Sequence, residues 1–341
     1  ADLALNNKQF GFLTGAVWVL SFGFMAIFMG SLADRFSRTR VMAFGVLVWS
    51  LCTAASGHAQ NFEQMVLARF FVATGEAALV PAAVSLLAEV FSPQRRSTAV
   101  GVFFIGIPLG IGLAFVIAGT LGIQHGWRGT FNILGLAGAA FTVPLLLLRD
   151  ERHGGDSHER GAPFRQQVRS VFAAVHGSAP LRQTMVGFVL IHFAFASLAF
   201  VQLWLVRERG LDGGTIAKQM GVLQILFGTL GAVLGGVASD RFARHFKGGH
   251  ASVLALMVLV MAPLMLAYRF APAGSALFYI GMCAGFVLPL ATYGPANALI
   301  QALTPAHMRS TVTGATMMLI NVFAVAIGNL AVGAVSDRLT A

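Results

Sequence analysis

The sequence predicts an all-α protein that crosses a membrane many times. Of its 341 residues, 57% are apolar and 11% are charged, whereas a soluble domain has about 25% charged residues. The mean hydropathy is +0.76, and apolar segments of about 20 residues, long enough to cross a bilayer, recur along the chain. These observations exclude a water-soluble globular protein.

Ten such segments form two groups of five. They cover residues 10–33, 40–57, 62–90, 97–122, 128–148, 182–206, 216–239, 250–269, 274–302 and 309–336. The pattern predicts an N-terminal bundle over residues 1–148, a linker over 149–180 and a C-terminal bundle over 181–341. Apolar residues at helical spacing in the linker, with Arg165 and Arg169 between them, fit either a helix on the membrane surface or an unstructured charged loop.

A short motif is repeated in the two halves. GSLADRFSR at 30–38 and GGVASDRFAR at 235–244 share Gly, three residues and then Asp-Arg-Phe-x-Arg. The shared residues are Gly30, Asp34, Arg35 and Arg38 in the first copy and Gly236, Asp240, Arg241 and Arg244 in the second. Both copies follow one apolar segment and precede the next, as in a duplicated bundle. A looser third copy, GAVSDRL, covers residues 333–339.

Loop charges predict the orientation. The loops on the linker's side of the segments carry roughly twice as many Lys and Arg as the opposite loops, so the positive-inside rule places the linker in the cytoplasm. The net charge of +10 therefore reflects basic loops facing anionic lipid rather than nucleic-acid binding. In this orientation the first segment runs from outside to inside, so we expect one further segment before it and one after the last, giving twelve.

Arg69 and Glu76 are a charged pair deep in an apolar segment. Their spacing of nearly two turns places both on one helix face, about 10 Å apart. Burial disfavours the charged form of a carboxylic acid and a nearby cation favours it, so such a pair is suited to proton exchange. The alternative is a permanent ion pair that joins helices.

Other polar residues lie in later segments. His192 is a second candidate for proton coupling or a packing residue. Tyr293 and Asn297 lie beside Pro289 and Pro295, which indicates either a break that lines a substrate site or a kinked helix.

The two halves, the basic linker and the repeated motif resemble the major facilitator superfamily over the whole chain, with Ser37 where its motif usually has Gly. ARFFVATGEAALVPAAVSLLAEVF at 68–91 is similar to the R-x-x-V-G-x-G-E-A stretch of Spinster-like transporters, with Ala73 replacing one Gly. Residues 93–119 and 294–321 resemble the same group. GIQHGWRGTFNILG at 122–135 is shared more widely, including by organic-anion symporters.

The Spinster resemblance implies proton-coupled transport of a lysophospholipid or sphingoid phosphate by alternating access. It puts the family's Arg and Glu on Arg69 and Glu76, so that Glu76 exchanges the proton while Arg69 binds the anionic headgroup or the deprotonated Glu76. Asn321 lies where Spinster relatives carry a polar residue, which makes it a pocket candidate together with Tyr293 and Asn297. A proton-coupled symporter of small organic anions is the alternative, and a channel or receptor is less favoured.

The motif around Asp34 and Asp240 predicts a conformational switch. Each Asp lies at a cytoplasmic helix end near several Arg, where an interhelical ion pair would favour one conformation. The superfamily resemblance implies that this conformation is outward-facing; a purely structural cap is the alternative.

Nothing in the sequence indicates an enzyme. It has no nucleotide-binding Gly-Lys-Ser loop and no His or Cys cluster at metal-ligand spacing. We therefore expect a monomeric transporter without cofactor or metal, in the bacterial inner membrane, whose partners are its substrate, protons and membrane lipid.

Overall fold

All the regular elements in the described part of the chain are helices. The computed structural model describes residues 12–148, 150 and 163–328, together with residues 3 and 9. The helices are α1 (Val17–Arg35), α2 (Arg38–Gly57), α3 (Phe62–Glu76), α4 (Leu79–Val90), α5 (Arg96–Phe104), α6 (Gly106–Ala140), α7 (Thr142–Leu147), α8 (Phe164–Gly177), α9 (Ala179–Arg207), α10 (Gly213–Phe242), α11 (Gly249–Ala267), α12 (Ala276–Leu303) and α13 (Arg309–Leu319). A π-helical stretch, Phe12–Ala16, precedes α1, another, Ile320–Ile327, follows α13, and short 3₁₀ turns cover Ala243–His245 and Ala306–Met308.

Nine helical stretches in the described residues are long and apolar enough to cross a membrane. They correspond to nine of the ten predicted segments. The remaining segment, 182–206, lies within α9, a helix of 29 residues. The prediction of an all-α polytopic protein is confirmed.

Glycine and proline residues set several helix boundaries. Gly126 has φ 63° and ψ 175° and interrupts α6 between two predicted segments, a backbone conformation that glycine adopts without steric cost. Pro81, near the start of α4, has no N–H for the carbonyl oxygen of Ala77, and the helix breaks directly after Glu76. Pro289 and Pro295, in contrast, lie within the continuous helix α12, so of the two interpretations of this region the break beside Tyr293 is not present.

Helix contacts divide the described chain into two compact units. The first contains the described residues of 1–89, 116–182 and 304–327, and the second those of 90–115, 183–303 and 328. In the first unit α1 packs against α13 and α3, and α2 packs against α3. In the second, α10 packs against α12 and α5, and α11 packs against α12. Each unit combines helices from both halves of the sequence, and the predicted bundle boundaries at 148 and 181 stay predictions.

The linker contains a helix. Of the two interpretations of this region, the structure shows α8 from Phe164 to Gly177, in contact with α1 and α13. Gln167 of α8 bonds to the hydroxyl of Ser31, and the ring of Phe164 lies 5.5 Å from that of Phe28. Residues 151–162 of the linker, and the third motif copy at 333–339, lie outside the described residues.

Candidate functional site: buried polar groups within the membrane-spanning helices

Asp34 of the first motif copy caps the N-terminus of α13. Its carboxylate accepts hydrogen bonds from the backbone N–H groups of Ser310 and Thr311, at 2.9 and 2.6 Å, and from the Thr311 hydroxyl at 2.6 Å. The first N–H groups of a helix have no partner within it, and the positive end of the helix dipole favours an anion there. Asp34 is 3% exposed, so the interaction is made away from water.

Asp240 of the second motif copy makes the equivalent contact within the second unit. It accepts from the backbone N–H groups of Ser97 and Thr98, at 3.2 and 2.7 Å, in the first turn of α5. Each Asp therefore joins its own helix to the start of another. An ion pair with Arg was predicted at these positions, and the partner that the structure adds is a helix N-terminus.

The glycine of each motif copy allows the two helices to approach closely. A Cβ at Gly30 would meet the backbone carbonyl of Ser310, and a Cβ at Gly236 would lie 2.6 Å from the carbonyl oxygen of Ser97. Real Cβ atoms do not approach backbone this closely, so any larger residue would push the helices apart.

The acceptor segments for the two Asp residues form a second repeat that sequence reasoning missed. Arg96-Ser97-Thr98 and Arg309-Ser310-Thr311 are each followed by two residues and a glycine. These glycines, Gly101 and Gly314, pack directly against the backbone carbonyls of Ala232 and Ala26. The shared R-S-T-x-x-G pattern was the available signal for these residues.

The arginines of the two motif copies differ in environment. Arg38 is 2% exposed and makes a bidentate contact with Glu89, at 2.5 and 2.8 Å, while its backbone N–H donates to Asp150 at 2.5 Å. Arg241 and Arg244, in the second copy, are exposed. Arg35 is half-buried, with its guanidinium 5.9 Å from the Phe36 ring. Only the first copy therefore buries its last arginine in an ion pair.

Glu76 lies at the helix break in the third predicted segment and bonds to an indole. It is the last residue of α3, and its Oε2 accepts a hydrogen bond from Trp18 Nε1 of α1 at 2.6 Å. An indole N–H donates and cannot accept, so Trp18 orients the carboxylate without taking its proton. The Trp18 ring stacks on Phe22, with 5.0 Å between ring centroids.

Arg69 shares α3 with Glu76 but is not paired with it. Its guanidinium carbon lies 5.0 Å from the centroid of the Phe131 ring, and no carboxylate of the described residues comes within 4.0 Å of it. The permanent ion pair considered as the alternative is therefore not formed in this structure. Both side chains are half-buried.

His192, on α9, forms a buried pair with Tyr293 of α12 in the second unit. His192 Nδ1 lies 2.7 Å from the carbonyl oxygen of Phe188, and Nε2 lies 2.8 Å from the Tyr293 hydroxyl. A carbonyl only accepts, so Nδ1 carries the proton and the Tyr293 hydroxyl donates to Nε2 of the neutral ring. Phe188 and Phe104 surround the Tyr293 ring at centroid distances of 5.3 and 4.3 Å.

The two asparagines bond to their own helices. Asn297 Nδ2 donates to the carbonyl oxygen of Tyr293 at 2.9 Å, while its buried Oδ1 has no hydrogen-bond partner. Asn321 Nδ2 donates to the carbonyl oxygen of Met317, also at 2.9 Å, and its Cβ lies against Gly23 of α1. Both are nearly fully buried.

The predicted residues fall into two sets. Arg69, Glu76 and Asn321 belong to the first unit, and His192, Tyr293 and Asn297 to the second. Of these, the structure brings together His192, Tyr293 and Asn297 through hydrogen bonds, and it adds Trp18 to Glu76. Trp18 was missed because it lies 58 positions from Glu76 and nothing in the sequence pairs the two residues.

Comparison with known proteins places the chain in a family. The family model of the Major Facilitator Superfamily matches residues 1–339. An MFS-type efflux pump of Mycolicibacterium smegmatis and the 3-(3-hydroxy-phenyl)propionate transporter of Escherichia coli are each 28% identical, over 99% of this chain and 78% of their own length. The mouse protein Spinster homolog 1 is 28% identical over 96% of this chain, which spans 66% of it.

Solved structures agree on the fold. The Escherichia coli fucose:proton symporter matches with a TM-score of 0.77, at 15% identity, over 98% of this chain and 85% of that one. The similarity to Spinster proteins noted in the sequence is confirmed, and the chain is an integral membrane protein of the transporter kind rather than an enzyme. The chain belongs to the Major Facilitator Superfamily.

Proposed function

We propose that this transporter couples the movement of protons to that of an anionic amphiphile, a lysophospholipid or sphingoid phosphate, by alternating access. The observation that carries the proposal is the Glu76 carboxylate, held by Trp18 at a helix break within a membrane-spanning segment. Burying a carboxyl group at such a position costs free energy, so its presence there indicates a function. The simplest ion for it to exchange is a proton.

Arg69 supports an anionic substrate. Its guanidinium has no carboxylate within 4.0 Å among the described residues and lies over an aromatic ring. An arginine that forms no ion pair with a carboxylate can bind a phosphate through two parallel hydrogen bonds. When no substrate is bound, the same charge stabilises the ionised form of Glu76 on the same helix face.

His192 has a different role in this proposal. Its neutral form satisfies both ring nitrogens, so proton uptake requires the Tyr293 hydroxyl to turn and accept instead of donate. We infer a second, conditional coupling site at His192. Asn297 in the second unit and Asn321 in the first are separate candidates for polar contacts with substrate.

The two Asp caps provide the conformational switch. Asp34 of α1 caps the start of α13, and Asp240 of α10 caps the start of α5. Each motif helix is therefore held against its partner at the end predicted to be cytoplasmic. We infer that these contacts favour the outward-facing state and separate when the cytoplasmic side opens. In this proposal the protein is a monomer in the inner membrane, and its linker lies on the cytoplasmic side.

A proton-coupled symporter of small organic anions is the second candidate. The 28% identity to the 3-(3-hydroxy-phenyl)propionate transporter, over nearly the whole chain, favours it. A small anion has little apolar surface and would depend on cationic side chains, of which Arg69 is the one deep in a predicted segment.

The decisive experiment measures proton flux into liposomes that contain the full-length protein. A lysophospholipid or an aromatic organic acid is added to wild type, to Glu76→Gln and to Trp18→Phe. We expect flux with the lysophospholipid, its loss in Glu76→Gln, and about a tenfold decrease in Trp18→Phe, because a hydrogen bond to a charged group is worth about 1.5–3 kcal/mol. Phe22→Leu, which alters the stacking but keeps the indole donor, is the matched control.

Each other outcome corrects one part of the proposal. Flux with the organic acid alone would transfer the assignment to the second candidate. Undiminished flux in Glu76→Gln would make Glu76 structural. Substrate uptake without proton flux would refute proton coupling.

A further inference from the structure

Two arginines from separate helices meet on one indole ring in the second unit. Arg209 follows α9 and Arg269 follows α11, and their guanidinium carbons lie 5.0 and 4.7 Å from the Trp204 ring centroid. Arg209 Nη2 also donates to the backbone carbonyl oxygen of Arg269. Both positive charges therefore lie around the same indole ring.

The two charges have no anionic partner in the part of the chain that the structure describes. No Asp or Glu oxygen lies within 4.0 Å of either guanidinium. Of the carboxylates nearest in sequence, Glu208 is exposed and Asp212 accepts from the Thr215 N–H at the start of α10. Like charges repel, so a bound anion would stabilise this arrangement. The planar guanidinium matches phosphate oxygens particularly well.

An apolar cavity of about 370 Å³ begins at Arg269. Its lining includes Phe193, Met220, Met265, Met282 and Phe286. The volume lies within the range of small-molecule sites, about 300–1,000 Å³. Methionine side chains adapt their shape, which suits a flexible hydrocarbon chain. Leu266, at the rim, is 66% exposed, so the cavity opens to the surroundings of the helices.

The position of the arginines indicates where the ligand comes from. Both lie in loops opposite the basic linker, a side that the positive-inside rule leaves poor in Lys and Arg. Trp204 and Tyr268 beside them are residue types enriched at the level of lipid headgroups. We therefore expect the charged groups to lie at headgroup level, where Arg269 also lines the apolar cavity.

We propose that Arg209 and Arg269 bind the phosphate of an anionic single-chain amphiphile from the outer leaflet, whose acyl chain fills the methionine-lined cavity. The site is formed by α9–α12 and does not include Glu76 or Arg69. It does not depend on which substrate is transported, so its failure would leave the proposed function intact. The alternative is that the arginines and aromatic rings only anchor the helix ends at the interface.

Photoaffinity labelling of the full-length protein in detergent tests this site. The probe is oleoyl lysophosphatidate with a diazirine near the end of its chain, and labelled peptides identify the contacted helices. We expect labelling of the α11 and α12 segments that contain Met265 and Met282, reduced about tenfold in Arg269→Gln and in Arg209→Gln, since each loses charge-assisted hydrogen bonds. Arg207→Gln, the exposed neighbour, should label as wild type does.

Further variants keep the test decisive if a Gln variant is misfolded. Arg269→Lys keeps the charge but not the planar fork, and should label between wild type and Arg269→Gln. Met265→Trp keeps both arginines and fills the cavity, and should lose the labelling while its thermal unfolding stays cooperative.

Three results would overturn the proposal. Undiminished labelling in both Gln variants would remove the arginines from the site. Equal labelling by the diazirine lysophosphatidylcholine, which has no net charge, would support interfacial anchoring. Displacement by inorganic phosphate at the concentration of competing lysophosphatidate would show a small-anion site with no role for the cavity.

Discussion

At the scale of single residues, Glu76 and His192 each have specific hydrogen-bond partners. The Glu76 carboxylate has an indole donor, and His192 has a carbonyl on one nitrogen and a phenol on the other. Removing one partner from such a buried pair leaves the other unsatisfied, which costs more than the net value of the bond. These pairs therefore fix side-chain orientation within helices that are otherwise apolar.

The His192–Tyr293 pair allows a quantitative prediction. Tyr293→Phe should lower the free energy of unfolding by about 1–3 kcal/mol, because Nε2 of the buried His192 loses its donor. In a His192→Phe background, Tyr293→Phe should lower the free energy of unfolding by clearly less, since no imidazole nitrogen remains that needs a donor. Denaturant unfolding of the four proteins in detergent gives the coupling energy from a double-mutant cycle.

Tyr279→Phe is the matched control, because Tyr279 lies on the same helix but is 42% exposed. It should change the unfolding free energy by less than about 0.5 kcal/mol. Equal costs of Tyr293→Phe with and without His192 would show that the hydroxyl does not serve the imidazole.

At the scale of helices, a glycine and an aspartate four residues later form a helix–helix contact motif that occurs twice. The glycine permits the approach and the Asp caps the helix that approaches, at α1 with α13 and at α10 with α5. Neither residue works alone: without close approach the carboxylate cannot reach the N–H groups, and without the carboxylate those groups stay unsatisfied. This explains why the two residue types recur at fixed spacing.

Helix α10 offers an internal comparison of two glycines. A Cβ at Gly236 would lie 2.6 Å from the Ser97 carbonyl oxygen, whereas a Cβ at Gly221 would meet nothing within 4 Å. The Ser97 side chain is fully buried and its hydroxyl has no partner, so Ser97→Cys is a nearly isosteric reporter. In a background of Cys52→Ala and Cys283→Ala, Gly236→Ala should raise maleimide labelling of this cysteine about tenfold.

Gly221→Ala should leave the labelling at the wild-type rate, because the added methyl group has open space. Labelling that rises equally in both variants would mean that helix propensity, rather than the close contact, controls access to α5.

At the scale of the whole molecule, the two halves that the sequence repeat defines are not the two compact units that the helix contacts define. The motif copies are related by duplication of the two halves, yet each compact unit contains helices from both halves. Each cap lies within one unit: Asp34 and α13 in the first, Asp240 and α5 in the second. In the alternating access that we propose, the two caps open together.

The coupling of the caps can be measured by combining a substitution in one cap with a reporter cysteine in the other. Asp34→Asn removes charge from the first cap, and Ser97→Cys reports on the second. If one conformational change opens both, Asp34→Asn should raise labelling at Ser97→Cys by nearly the factor seen at Ser310→Cys, another fully buried hydroxyl without a partner. Labelling confined to Ser310→Cys would show that the caps open independently and that neither reports a global state.

Much of the fold was predictable because the bilayer imposes a strong pattern. Apolar stretches of about 20 residues predicted where the membrane-spanning helices lie. The break before Pro81, inside the predicted segment 62–90, was not predicted, although it follows from the missing N–H of proline. Pro289 and Pro295 left two interpretations open, a break or a kinked helix, and the structure shows α12 running through both positions. The same missing donors leave α12 continuous, because neighbouring helices pack tightly around it, with Gly235 directly against the Ala291 carbonyl.

The sequence by itself determined the class, the repeat and the charged residues in the membrane-spanning segments. These are properties of residue type and local spacing, which a hydrophobic environment constrains without reference to partners. Only the tertiary structure decided the partners: Trp18 for Glu76, Tyr293 for His192, two helix N-termini for Asp34 and Asp240, and one indole for Arg209 and Arg269. Such pairings depend on which helix faces meet, and the hydrogen-bonded residues among them, 58 to 277 positions apart, meet only after the chain has folded.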